Sequence, residues 1–427
     1  MNPRELLLDS FRAAIDAADP QKIVPAHLPE PPSGNTLVIG AGKAAAAMAR
    51  AVETHWPPGN HLEGIVVTPY RHGLATNSIM VIEASHPIPD TRSEMASRAI
   101  LESVRMLKPD DLLLGLFSGG GSSLLSAPVP GITLEELKSI THQLLLCGAS
   151  IQEINIVRKH LSTVLGGKLA AASRAPVRCL IISDVTDNDP SSIASGPCAP
   201  DPSTWQDVLM LIERYAITVS PQVIEVLREN GRKSSNGGEG ETPKPGDPVF
   251  RNVKNRIIAT ARQSLAAAAQ FFQAQGITPL ILGDTVTGEA REVAKMHAAI
   301  AREIRHYNNP YRPPVALISG GETTVTVKGA GKGGRNAEFL LSLAIALGGL
   351  EEVYALACDT DGIDGSETNA GAVMTPDTLS RARQAGIDPA ALLGDNDAYT
   401  FFEKLGDLVV TGPTYTNVND YRAILIV

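Results

Sequence analysis

Apolar residues along the chain fall into short unbroken runs separated by stretches of helical spacing, a rhythm that predicts alternating strands and helices. Residues 36–39, 65–67, 112–117 and 178–182 read as strands, and 112–117 is apolar throughout, as expected of a parallel strand covered on both faces. Leucines and alanines at helical spacing mark a first helix over 3–17, and an alanine-rich helix opens at Lys43. Asp90 caps another, and Thr133 with Glu136 and Ser150 with Glu153 form two capping boxes. Helical stretches near 204–214 and 222–228 lead to 230–248, rich in Gly, Ser, Lys, Glu and Pro, which reads as a linker or long exposed loop. Beyond it the alternation resumes: strands at 256–259, 279–282, 315–319 and 323–327, helices at 264–275 and 287–305, and a leucine-rich helix from near Asn336. The pattern predicts two α/β units, residues 1–235 and 236–427.

Glycine-rich turns stand where predicted strands end. Gly40-Ala41-Gly42-Lys43-Ala44-Ala45 has the Gly-x-Gly-x-x-Ala form of a dinucleotide turn. The next strand, however, runs into Thr68-Pro69-Tyr70-Arg71, with no acidic residue to accept a ribose hydroxyl. A Walker A loop fails as well, since Leu37 and Ala44 stand where glycine and a metal-binding hydroxyl are needed. Ser118-Gly119-Gly120-Gly121-Ser122-Ser123 is a second cradle of backbone donors and hydroxyls, the alternative being a plain turn. Ser319-Gly320-Gly321-Glu322-Thr323-Thr324 echoes it, through either duplication or similar loops meeting similar anions. Residues 329–340 turn a glycine loop bearing Lys332 and Arg335 directly into a helix, which suits phosphate, or else form a surface hairpin before a core helix. Carboxylates gather at Asp184, Asp187 and Asp189 and again at Asp359, Asp361 and Asp364, either as magnesium ligands or as Asx turns. Residues 411–420 form a polar loop able to present hydroxyls and amides, and the basic string Arg158-Lys159-His160 reads as a wet helix face.

Composition removes several classes. No run reaches the roughly 18 apolar residues of a membrane span, and the first residues lack a signal-peptide pattern, so a cytoplasmic protein is expected. A net charge of −9 with 4% aromatic residues argues against a nucleic-acid surface, so anionic substrates must meet local positive groups. Cys147, Cys179, Cys198 and Cys358 show no metal or disulfide spacing and are expected in or near the core.

Taken in order, residues 40–45, 118–123, 319–324, 333–336 and 411–418 resemble the glycerate 2-kinase family with a MOFRL C-terminal domain, across nearly the whole chain. The resemblance implies a Rossmann-like parallel sheet with flanking helices, a second α/β domain, and an active site in the cleft between them. It implies transfer of the γ-phosphoryl of ATP, with Mg²⁺, to the 2-hydroxyl of D-glycerate. Lys43 and Arg335 are then the expected catalytic cations, with Asp189 as a third catalytic group. Nucleotide contacts are expected from Gly40, Gly42, Ser118, Gly119, Gly120, Gly121, Ser122, Ser123, Gly320, Gly321, Glu322, Lys332, Asn336, Thr416 and Asn417. Asp184 and Asp361 are placed on the metal, although sequence alone does not separate the roles of these aspartates. A homodimer stays open. Ala337 and Ala398 depart from the family pattern, where Gln and Ser are common. The family has also carried a hydroxypyruvate reductase label, so an NAD(P)H-dependent reductase and a non-catalytic nucleotide-binding protein remain the rival readings.

Overall fold

The computed structural model describes residues 2–235 and 240–427. The chain divides into two compact units, Ile23–Ile258 and a second that joins Met1–Lys22 to Ala259–Val427. Part of the linker expected over 230–248, residues 236–239, lies outside the described residues.

In the unit Ile23–Ile258, strands β1 (Thr36–Ala41), β2 (Leu62–Pro69), β3 (Ile79–Ala84), β4 (Leu112–Phe117), β5 (Val177–Ile182) and β6 (Val253–Ala259) form one sheet in the order β3-β2-β1-β4-β5-β6. The pairs among β1 to β5 are all parallel. Strands β1 and β4 are buried at every residue, which explains why their sequences carry no polar alternation. The chain builds outward from β1 through β2 to β3, returns to the other side of β1 with β4, and continues away from it. Strand order therefore reverses between β1 and β4, and their carboxyl ends define the crevice where open α/β sheets bind ligands. A separate helical core, with Leu137, Leu144, Val157, Trp205 and Leu227, joins Leu134–Leu146, Ile151–Leu161, Trp205–Arg214 and Pro221–Ser235.

The other unit holds β7 (Thr278–Gly283), β8 (Gly288–Glu289), β9 (Val315–Ser319), β10 (Thr323–Thr324), β11 (Val353–Asp359), β12 (Gly371–Met374), β13 (Leu408–Val409) and β14 (Asp420–Ile426). Its main sheet has the order β13-β12-β11-β14-β9-β7, antiparallel except for the β7–β9 pair, and β8 and β10 pair separately. Along β14, Ile424 and Ile426 face one core while Tyr421, Ala423 and Leu425 face the other, so the sheet is covered on both sides.

The boundary expected at 235/236 differs from the structure in two ways. Strand β6 extends the first sheet beyond β5, secured where Arg178 Nη1 donates to Asn252 O at 2.9 Å and Asn255 Nδ2 to Cys198 O at 3.0 Å. Helix Pro3–Asp16 instead packs Leu7, Phe11 and Ala14 into the second unit's core, where Phe11 stacks on Tyr421 with centroids 5.7 Å apart. The expected strand 323–327 shrinks to two residues, because only Thr323 and Thr324 find a partner strand. Nor is 158–160 a wet face: Lys159 and His160 are buried, with Lys159 Nζ 3.4 Å from Asp201 and His160 Nε2 2.8 Å from Glu241. Cys147 is exposed, whereas Cys179, Cys198 and Cys358 are buried. No helix among the described residues is long and apolar enough to cross a membrane.

Candidate functional site

At the end of β1, the Gly40–Lys43 turn is needed for close packing. A Cβ on Gly40 would lie 2.5 Å from Leu116 O, and one on Gly42, whose φ is +133°, would lie 2.2 Å from Ser118 Oγ. The turn's amides are already used: Gly42 N donates to Val67 O at 3.1 Å, Lys43 N to Gly119 O at 2.9 Å, Ala44 N to Ser118 Oγ at 3.0 Å and Ala45 N to Gly42 O at 3.1 Å. Thr68 Oγ1 closes the other side by donating to Gly42 O at 3.1 Å. Gly40 and Gly42, expected as nucleotide contacts, thus let β1 and β4 approach, and a pyrophosphate would find these donors occupied.

The loop after β4 is different. Among the described residues the amides of Gly119 and Gly120 meet no acceptor, and Gly120 adopts φ +82°. Gly121 packs so closely that a Cβ would come 2.5 Å from Ala194 Cβ. Ser122 Oγ lies 2.8 Å from Ser195 Oγ, which donates to Asn155 Oδ1 at 3.2 Å. Ser123 Oγ donates to Gly120 O at 3.1 Å. The 193–196 segment behind the loop holds Ala194 and Ser195 at φ +50° and +55°, a local strain of the kind found at functional sites. Half-buried Lys43 therefore shares the switch point with Ser118, Gly119, Gly120, Gly121, Ser122 and Ser123. Asp184 and Asp189 follow β5. Asp189 Oδ1 accepts from Ser191 N at 2.9 Å and its Oδ2 from Ser191 Oγ, so this carboxylate forms the Asx turn that the sequence left as one alternative.

In the second unit the chain's own carboxylates and one side-chain amide oxygen fill the anion-suited positions. The amides of Lys328 and Gly329 donate to Asn396 Oδ1, that of Ala330 to Asp395 Oδ1 and that of Lys332 to Asp397 Oδ1, at 2.8 to 3.1 Å. The N-terminus of helix Arg335–Leu347 is occupied likewise, Asp364 accepting from Asn336 N at 2.9 Å and Ala337 N at 2.8 Å. Arg335, read from sequence as a phosphate-facing cation, holds three carboxylates instead. Its Nε donates to Asp420 at 2.8 Å, Nη1 to Glu322 at 2.6 Å and Nη2 to Asp359 at 2.8 Å. Burial opposes the guanidinium charge, yet Asp420, Asp359 and Glu322, in that order, outweigh it and raise the pKa further. Asn336 Nδ2 donates to Asp420 at 2.7 Å, while its Oδ1 is buried without a partner. Burial pushes Asp364 up to about 6, the amides of Asn336 and Ala337 opposing the shift and Asp420 adding to it.

Several expected contacts are structural here. A Cβ on Gly321 would lie 2.4 Å from Val286 N, and Gly320 O accepts from Arg422 Nη1 at 3.1 Å. Buried Thr416 donates to Ala18 O at 2.8 Å and so anchors the N-terminal segment. Asn417 Oδ1 accepts from Asn419 N at 3.2 Å, and Lys332 is exposed. Buried Asp361 spends Oδ1 on Ile363 N at 2.8 Å. Among the described residues no group of three or more His, Cys, Asp or Glu could hold a metal. A ready-made metal cage is therefore absent among those residues.

Sequence reasoning missed Ser195, Asn155 and Arg158 as parts of the first unit's site. Asn155 and Arg158 are three apart on one helix and share a face, but an apolar-polar pattern cannot show that this face meets the Ser122 loop.

An open α/β sheet with a donor-rich loop at its topological switch point defines a class of ligand-binding proteins. Within it, residues 6–228 match a domain of unknown function (DUF4147) and residues 315–420 match the MOFRL family. A D-glycerate 2-kinase from Thermotoga maritima is 38% identical over 99% of this chain and 98% of its own. A protein from Agrobacterium vitis with the provisional name hydroxypyruvate reductase is 48% identical over 100% of this chain and 95% of its own. The crystal structure of glycerate kinase from Thermotoga maritima superposes with a TM-score of 0.87 at 38% identity, covering 99% of each chain. The chain belongs to the glycerate 2-kinase family with a MOFRL C-terminal domain.

Proposed function

We propose that the protein transfers the γ-phosphoryl group of ATP to the 2-hydroxyl of D-glycerate, giving 2-phosphoglycerate and ADP. The observation that carries this reading is the loop after β4, where the amides of Gly119 and Gly120 stand open beside Lys43 at the switch point. Phosphoryl transfer asks a protein mainly to position two anions and to neutralise charge spreading over the phosphoryl oxygens, and these groups suit that task. Full-length similarity to glycerate kinases supplies the acceptor.

In the proposed step the glycerate 2-oxygen attacks the γ-phosphorus, the bond to the bridging oxygen breaks with its electron pair leaving on ADP, and the hydroxyl proton passes to a carboxylate. Lys43 and the two glycine amides receive phosphoryl oxygens. Asp189, held rigid by Ser191, is the proton acceptor we favour. Asp184 would hold Mg²⁺, which supplies charge neutralisation on the phosphates when bound. Arg335 enters as a positioning residue that keeps Glu322, Asp359 and Asp420 together, with two of its five N–H donors still unused among the described residues.

The reductase name borne by Agrobacterium vitis relatives motivates a second assay. Against that reading stand the occupied amides at Gly42 to Ala45 and the missing acid after β2. Purified protein should turn over ATP, Mg²⁺ and D-glycerate and be inert toward NAD(P)H with hydroxypyruvate. An enolase-coupled readout, with and without phosphoglycerate mutase, separates 2- from 3-phosphoglycerate. Turnover only with the reduced nicotinamide would overturn the proposal.

A further inference from the structure

Within the parallel-sheet unit, a cavity of about 600 Å³ opens beside the Ser122 loop. The turn after β3 and helices Leu134–Leu146 and Ile151–Leu161 bound it, and Ile88, Leu125, Leu137, Leu145 and Leu165 make its wall largely apolar. Ser122 and Arg158 also line it. The hydrogen-bonded chain Ser122–Ser195–Asn155 ties the glycine loop to the helix face that carries Arg158.

Half-buried Arg158 has no hydrogen-bond or ion-pair partner among the described residues. Burial lowers its pKa with no neighbouring carboxylate to offset the loss, in contrast to Arg335. A partly desolvated guanidinium without a carboxylate partner calls for an anion that offers it two oxygens, such as a phosphate or a carboxylate. The volume falls within the roughly 300–1,000 Å³ of small-molecule sites, so a three-carbon acid would occupy only a corner of it.

Resting on the kinase reading, we propose that this cavity takes the nucleoside phosphate donor, with the base against the apolar wall and Arg158 pairing with phosphate oxygens on the side of Ser122 and Ser123. Arg158 is then a nucleotide-binding residue.

Calorimetric titration of ADP into the full-length protein tests this without turnover. Arg158→Ala should weaken ADP binding about 10- to 100-fold, the usual loss for one charge-assisted contact, and raise the KM for ATP while leaving the KM for D-glycerate within about twofold. Arg158→Lys should recover part of the loss. Leu145→Glu, at an exposed position on the wall, provides a second probe if Arg158→Ala does not fold, and should also weaken ADP. Unchanged ADP affinity in folded variants of an active parent would overturn the proposal. A rise in the KM for D-glycerate alone would also overturn it by giving the cavity to the acid. A parent that binds ADP without phosphorylating glycerate would remove the proposed acceptor and leave the cavity assignment standing, whereas one that binds no ADP would remove both.

Discussion

Replacing Arg335 by alanine should unfold the second unit more readily, because the side chain holds two buried carboxylates and one exposed one. Side chains of Asp420 and Asp359 are 0% and 6% exposed, against 54% for Glu322. Removing one partner of a buried ion pair commonly costs about 3–5 kcal/mol, because the remaining charge stays desolvated. The lower end applies here, since Asp420 keeps Arg422 and Asn336 as partners and Asp359 still accepts from Asp361 N at 3.0 Å. The Glu322 contact adds about 0–1 kcal/mol at its exposure. A loss near 3 kcal/mol in a unit of this size lowers the melting temperature by roughly 6–12 °C. Calorimetric melts and urea titrations of the parent, Arg335→Ala, Arg335→Lys and the double variant Arg335→Ala with Asp359→Asn measure it. The lysine should restore about one of three contacts, and the double variant should melt above the single one because a stranded charge is gone. If Arg335→Ala melts within about 2 °C of the parent while its activity collapses, the guanidinium serves the reaction alone and the structural reading fails.

Other outcomes follow from the same geometry. Lys43→Met should lower kcat by about 10²–10³ with an unchanged melting temperature, as loss of one preorganised charge-stabilising donor would; steady-state kinetics with near-parental kcat would remove Lys43 from the reaction. Gly42→Ala should cost about 1–3 kcal/mol in urea unfolding, because its φ of +133° and a Cβ 2.2 Å from Ser118 Oγ both oppose a side chain, whereas Gly59→Ala, at φ +84° with open space around it, should cost less. Equal midpoints for the two would refute the packing role of Gly42. Asp364, raised by burial from 3.8 to about 6, takes up its proton in the folded state first. Its cost of about 3 kcal/mol is therefore full above pH 6 and relieved as pH falls toward 3.8, so the parent should gain on Asp364→Asn by up to that amount between pH 7 and 4. A gap that stays constant with pH would contradict the raised pKa.

Strands β1, β4 and β5 were legible because each is short and largely apolar and ends in a glycine-rich or polar turn, and they lie within a residue or two of where that pattern put them. The central strand β14 was not, since Asp420-Tyr421-Arg422 opens it with charges whose partners, Arg335 and Gly320 O, come from distant parts of the chain. The destination of β6 was equally hidden: nothing local to residues 253–259 says which of two sheets has the vacant edge.

Anion-seeking groups are a property of local sequence. Glycines beside a strand end, a lysine or arginine near them and a helix start imply donors facing one point whatever the rest of the fold does. Which anion arrives is a tertiary matter. Asp395, Asp397 and Asp364 reach the loop at 328–337 from 27 to 65 positions away and consume its amides, and the Ser118 loop takes those at Lys43 and Ala44. Among the described residues the amides of Gly119 and Gly120 meet no acceptor, and the segment packed behind that loop brings Ala194 and Ser195 to it. The sequence by itself determined where negative charge is welcome, and the tertiary structure decided at which of those places the chain had already supplied it.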